Sequence, residues 1–192
     1  MNAVEIYCET KDFMEVVRRT GKPAFRVHIE LLKAGVLQVK DKVKYGSKAQ
    51  RLGGQAEELF QRLVPEAVDV NSFYRRNNPR YDFVYKGLKI DIKYAGLRAV
   101  KKDGWGNPTD WGFWGARLND AADINIIFCE QKQGAELNGY YILVVPVAFV
   151  KCENFAVYQG SKRFKNFNVA QDELIEVLDA YAQASEGDGD KK

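Results

Sequence analysis

The sequence predicts a mixed α/β fold in which helices flank a central β-sheet. Three features predict it. Two runs, 81–85 and 88–95, face each other across the turn pair Lys86-Gly87; an apolar run at 124–129 has the character of a buried strand; and amphipathic helices precede and follow these strands. At 192 residues the chain is long enough for one ordinary domain with a small extension. Its 46% hydrophobic and 12% aromatic content is that of a globular protein, and no apolar run is long enough to span a bilayer.

Residues 1–10 carry Glu5 and Glu9 without a basic start or a long apolar stretch, so they do not read as a signal peptide. The expected location is the cytoplasm, with no membrane partner. Cys8, Cys129 and Cys152 are widely spaced, lack the close pairs of zinc or redox motifs, and fit reduced structural thiols. A net charge of +3 permits contact with an anionic polymer without demanding it.

In chain order, helices are expected at 11–19 and 24–34, separated by a turn at 20–23. In the second helix Phe25, Val27, Ile29, Leu31 and Leu32 are expected mostly inward, Gly35 stops the helix, and 36–39 reads as a strand. This pattern resembles part of a winged helix-turn-helix. The resemblance implies that Lys22, Arg26, His28 and Lys33 face phosphates or base edges and that Lys40, Lys42 and Lys44 lie on the wing. A helix pair packed on a larger core has the same pattern, and His28 also fits a surface or packing role.

Gly53 and Gly54 precede a helical run whose Ala56, Leu59, Phe60, Leu63 and Val64 share one face, and Pro65 ends it. A short apolar piece follows at 67–70, then a polar stretch at 71–80 with the basic cluster Arg75, Arg76 and Arg80, then the hairpin. In its second arm Leu88, Ile90, Ile92 and Tyr94 alternate with Lys89, Asp91 and Lys93, so Asp91 and Lys93 point the same way. A Gly- and Trp-rich loop at 96–110 leads to an expected helical segment near 113–122 and the strand at 124–129. Asn138-Gly139 introduces a strand at 140–145, and a last helix at 171–183 buries Leu174, Ile175, Leu178 and Tyr181. The charged, glycine-bearing stretch 185–192 is expected to fray.

The hairpin holds the residues with chemical potential. Phosphodiester hydrolysis needs a strong nucleophile and neutralisation of charge on the phosphate, both of which a bound divalent cation can supply. Hard cations such as magnesium prefer oxygen ligands, and Asp82 and Asp91 stand on paired strands roughly 5 Å apart. The Ile92 carbonyl oxygen suits the same ion. Lys93, two residues beyond Asp91, is placed to orient water, hold a phosphate or act as a base. The loop after this strand carries Arg98, Lys101, Lys102, Trp105 and Trp111, residue types that contact phosphates and stack on bases. Trp111, Phe113 and Trp114 equally suit a packing role, and an Asp-x-Lys on a strand is often only a solvated face.

The run from Tyr81 through Asp82, Asp91 and Lys93, with eight residues between the aspartates, resembles the PD-(D/E)XK nuclease superfamily of restriction endonucleases and Holliday junction resolvases. The expected order of helix, three strands, helix, strand between Gly54 and Cys129 is similar to that superfamily's αβββαβ core. The resemblance implies that Asp82 and Asp91 are metal ligands, that Lys93 is the catalytic lysine, and that a glutamate on the preceding helix assists. Glu57 and Glu58 are the two candidates. Glu57 borders the apolar face and is preferred, as a ligand to a second metal or its water shell, and Gln55 is a lesser contributor. Tyr81 stands where the family carries a proline, with Pro79 close by.

The implied activity is a Mg2+-dependent DNA endonuclease, with Mn2+ able to substitute, that leaves 5′-phosphate ends. The implied division is a winged-helix-like region at 1–50, a nuclease core at 51–184 and a disordered tail at 185–192. A homodimer is expected, because cutting both strands calls for two active sites or a rearrangement, and two-fold dimers are the commonest oligomers. Two alternatives stand beside this reading: a non-catalytic, sequence-specific DNA-binding protein on a nuclease-like scaffold, and a nuclease directed at RNA.

Overall fold

The computed structural model describes residues 2–10, 12–36, 47–70, 81–149 and 154–187. It begins with three short helices, α1 (Ala3–Thr10), α2 (Phe13–Thr20) and α3 (Ala24–Lys33). The Asp12 side chain caps α2 by accepting from the backbone N–H groups of Met14 and Glu15 at 2.8 and 3.1 Å. Gly21, left-handed at φ 63°, ends the helix. The three helices bury a cluster of their own made of Ala3, Ile6, Tyr7, Phe13, Val16, Val27 and Leu31.

Two expectations are corrected here. Helix α1 lies in a segment read only as lacking a signal peptide, although Ala3, Ile6 and Tyr7 repeat at helical spacing. Phe25 and Ile29 are exposed, at 65% and 46%, because Val27 and Leu31, four residues apart, already fill the inward stripe of α3. The expected strand from 37 onward, with Lys40, Lys42 and Lys44, lies outside the described residues, as do Arg75, Arg76 and Arg80.

Helix α4 (Lys48–Leu63) starts before Gly53 and Gly54. The reason is a capping box: the Ser47 N–H donates to Gln50 Oε1 at 2.9 Å and the Gln50 N–H to Ser47 Oγ at 3.4 Å. Two glycines cost a helix about 1 kcal/mol each relative to alanine, which a firm start and a buried apolar face can absorb.

The central sheet has the order β1-β2-β3-β6-β7-β9. Its strands are β1 (Val68–Asp69), β2 (Phe83–Tyr85), β3 (Leu88–Ala95), β6 (Ile124–Glu130), β7 (Tyr140–Pro146) and β9 (Asn168–Val169). β3 and β6 run parallel and the other pairs antiparallel, so the sheet is mixed. Lys86 and Gly87 turn the β2–β3 hairpin with positive φ values of 45° and 82°, as a two-residue connection of this kind requires.

A second sheet, ordered β4-β5-β8, is built from β4 (Leu97–Lys102), β5 (Pro108–Arg117) and β8 (Asn154–Tyr158). Two further helices follow among the described residues: the short α5 (Lys162–Phe167) and α6 (Leu174–Gly187), the latter running past its expected end at Gln183. The segment expected as loop and helix between Gly96 and Ala122 is therefore largely a β-hairpin, and it makes the crossover between the parallel strands β3 and β6. Gly112 allows β5 to approach β8, since a side chain there would collide with the Trp114 ring and the Val157 carbonyl.

Two apolar clusters lie on opposite faces of the central sheet. Ile90, Ile92, Ile126, Phe128, Ile142 and Val144 meet α4 and α6 on one face. Ala95, Ile127, Cys129, Leu143 and Val145 meet Phe113, Phe155 and Val157 of the second sheet, with Phe164 of α5, on the other. The mixed sheet flanked by helices matches the predicted class, with a second sheet added as a third layer.

Candidate active site

Strand alternation sends Asp91, Lys93 and Ala95 to the face of the central sheet that the second sheet covers, and Ile90 and Ile92 to the helical face. Asp91 is 4% exposed, whereas the Lys93 side chain keeps 30% of its surface open. Lys93 Nζ stands 2.5 Å from Asp91 Oδ2, but not in the alignment of a directed hydrogen bond, and Oδ2 has no hydrogen-bond partner. The other oxygen, Oδ1, accepts from Asn119 Nδ2 at 3.1 Å.

Asp82 precedes β2 and is held by backbone on both sides: its N–H donates to the Ile90 carbonyl at 2.9 Å, and its carbonyl accepts from the Val70 N–H at 3.0 Å. The pairing of Phe83 with Ile90 puts Asp82 across from Asp91 one step further along the ladder. Its Oδ2 accepts from the Ile92 N–H at 2.8 Å, which turns the carboxylate toward β3. On β1, Asp69 pairs with Phe83 and brings another carboxylate to the same end of the hairpin.

Glu57 projects from α4 toward this group. Burial, then the negative charges of Asp82 and Asp69, push its carboxyl up to about 8, with Lys93 opposing and Asp91 adding to the rise. Glu57 is half-buried and Glu58 and Gln55 are exposed. The neighbouring acids add to the effect of burial, and a cation close by would oppose both. The donor set suits a hard divalent ion: Asp91 Oδ2 is buried and meets only the Lys93 ammonium, outside hydrogen-bond alignment, and Asp82 stands across the ladder. Among the described residues no three His, Cys, Asp or Glu side chains converge to hold one ion. The fit therefore rests on Asp82 and Asp91 with a backbone carbonyl such as that of Ile92, and magnesium usually keeps several waters besides.

The residues expected to bind nucleic acid are scattered. Lys22 Nζ is engaged by both Glu30 oxygens at 2.8 Å, so its charge is committed within the three-helix unit. Arg26 and Lys33 are exposed on α3. Lys101 is exposed on β4 and pairs with Asp110 at 3.3 Å, and the side chain of Lys102 is not among those described. Trp105 is 92% exposed at the β4–β5 tip, where Asp103 Oδ1 accepts from the N–H groups of Trp105 and Asn107 at 2.9 and 2.8 Å. Phe113 is buried, and Trp114 packs edge-on against Tyr158 with 5.5 Å between ring centroids.

Sequence reasoning missed Asp69, Asn119 and Asn125. Asn125 left a signal, being a lone amide inside the apolar run that forms β6; Asp69 and Asn119 left none that separates them from ordinary polar residues.

No family model matches the sequence, and a search of curated proteins finds no relative. Among solved structures, a bacterial homing endonuclease, I-Ssp6803I, overlaps 73% of this chain and 97% of its own at 15% identity, with a TM-score of 0.43, a likeness too distant to assign function.

Proposed function

We propose that this protein is a metal-dependent nuclease that hydrolyses phosphodiester bonds of DNA at the end of the β2–β3 hairpin. The observation that carries the reading is Asp91: a nearly fully buried carboxylate with one oxygen held by Asn119 and the other facing the Lys93 ammonium outside hydrogen-bond alignment, across from Asp82. A buried acid and a half-open ammonium set side by side at the end of a hairpin, with further carboxylates close by, are more than packing requires.

Held by Asp82, Asp91 and the Ile92 carbonyl, a Mg2+ ion would neutralise charge on the scissile phosphate and favour ionisation of a nearby water. Lys93, anchored beside Asp91 yet partly open, presents its ammonium to the phosphate or to the attacking water. Glu57, whose carboxyl is pushed up to about 8 by burial and neighbouring acids in the metal-free chain, stands at the margin of the site as a further oxygen for the ion or its water shell. Water adds to phosphorus, the P–O3′ bond breaks, and the departing oxygen takes a proton to give 3′-hydroxyl and 5′-phosphate ends. The exposed Trp105 ring, with Arg98 and Lys101 on β4, provides stacking and phosphate contacts on a hairpin that starts one residue after the catalytic strand. Arg26 and Lys33 on α3 add a second basic surface, and a homodimer would supply the second site that a double-strand cut needs.

The test is incubation of the purified chain with plasmid, linear duplex, branched DNA and RNA, with Mg2+ or with chelator. Mg2+-dependent cleavage of DNA, lost in Asp91→Asn, is the expected result. Cleavage of RNA alone would change the substrate, and no cleavage of any of them by folded protein would leave a DNA-binding role instead.

A further inference from the structure

Behind Asp91 lies a small amide network that no part of the proposed chemistry uses. Asn125 is fully buried on β6, paired with Asp91 across the parallel ladder. Its amide grips the backbone of one loop residue from both sides: the Asn119 N–H donates to Asn125 Oδ1 at 2.8 Å, and Asn125 Nδ2 donates to the Asn119 carbonyl at 3.0 Å. Two bonds to one residue fix both its position and its orientation.

The Asn119 side chain is then oriented by its own turn. The Ala121 N–H donates to Asn119 Oδ1 at 3.0 Å, which commits that atom as the acceptor. Nδ2 is therefore the atom that faces Asp91, and it donates to Oδ1 at 3.1 Å. Each amide in the chain Asn125, Asn119, Asp91 has one consistent assignment of donor and acceptor. Its net effect is to tie Oδ1 of Asp91 and to leave Oδ2 pointing the other way, where it meets only the Lys93 ammonium at 2.5 Å, outside hydrogen-bond alignment.

We propose that Asn119, clasped by Asn125, is a positioning residue that fixes the rotation of the Asp91 carboxylate so that Oδ2 alone is presented to a divalent cation. This rests on the metal-dependent reading of the site and adds to it how the ligand is held. A carboxylate free to rotate would turn either oxygen toward the Lys93 ammonium and would have to be ordered each time an ion bound. Tethering Oδ1 during folding removes that ordering cost from the binding step, which is the general role of groups that hydrogen-bond metal ligands from behind.

The experiment measures Mn2+ binding to the full chain by the loss of the free-ion electron paramagnetic resonance signal. Wild type, Asn119→Ala and Asn119→Ser are compared, alongside thermal melts in chelator. Serine keeps a short oxygen to accept from the Ala121 N–H, and its backbone can still be clasped by Asn125, but it loses the reach to Asp91. Both variants are expected to bind Mn2+ about 10–100-fold more weakly than wild type, with Asn119→Ser melting close to wild type. Wild-type affinity in the folded serine variant overturns the proposal, as does a loss of binding that only tracks the fraction unfolded. If wild type itself binds no Mn2+, the metal-dependent reading fails and this inference with it; that outcome is visible before any variant is compared.

Discussion

Glu130 and Asp91 are both 4% exposed on the neighbouring strands β6 and β3, yet their surroundings differ. Glu130 is satisfied on both oxygens: Oε2 accepts from the Leu97 N–H at 2.9 Å and Oε1 from the Glu136 N–H at 2.7 Å. It ties the crossover that leaves β3 to the turn that follows β6. Asp91 has one amide donor and one oxygen facing an ammonium without an aligned bond. The difference teaches that burial alone does not mark a functional acid. A buried carboxylate whose two oxygens both accept from backbone is a structural clasp, and one with an oxygen facing a half-open ammonium is poised to take a further ligand.

The largest expected effect separates the two in activity. Asp91→Asn should lower DNA cleavage by roughly 10³-fold or more, the scale of losing a group that stabilises charge in the transition state, and Lys93→Ala by about 10²–10⁴-fold. Glu130→Ala, measured per folded molecule, should leave cleavage near wild type. Comparable losses in all three variants would erase the distinction.

Next in size, the order reverses for stability. Glu130→Ala strands the Leu97 and Glu136 N–H groups and should cost about 1–3 kcal/mol for each in urea unfolding of the metal-free protein. Asp91→Asn should stay within about 1 kcal/mol of wild type, since a carbonyl oxygen remains for Asn119 and Lys93 retains a path to solvent. A Glu130→Ala protein as stable as wild type would show that its two bonds are incidental.

The smallest effect sharpens the electrostatic half of the comparison. Folding raises the Glu57 carboxyl from 4.5 to about 8, so across that interval the folded chain holds a proton that the unfolded chain has released. Its stabilising contribution is therefore full below about 4.5 and is lost as pH rises to about 8. Without metal, the stability difference between Glu57→Gln and wild type should move in favour of the variant over this window and level off above it. A difference that does not change with pH would mean that neither burial nor the acidic neighbours raise the Glu57 carboxyl.

Much of this arrangement was legible in the residues. Period-two alternation gave β3 its bounds and put Asp91 and Lys93 on one face, and Lys86-Gly87 located the turn that sets Asp82 against Asp91. The crossover was misread for a physical reason. A register shift between Trp114 and Ala116 breaks the alternation in β5, and Trp111, Trp114 and Leu118 then fall at spacings of three and four that imitate a helix. Helix α4 begins upstream of the Gly53-Gly54 pair because the Ser47–Gln50 capping box starts it there. Asn119 has no signature in the sequence, since what sets it apart is a contact with Asp91, 28 residues earlier in the chain.

The most direct measurement is anomalous diffraction at the manganese edge from crystals of the protein soaked in Mn2+. The account predicts a peak in contact with carboxylate oxygens of both Asp82 and Asp91, with Lys93 beside it. A peak held elsewhere, or none at an ion concentration that supports cleavage, would contradict it.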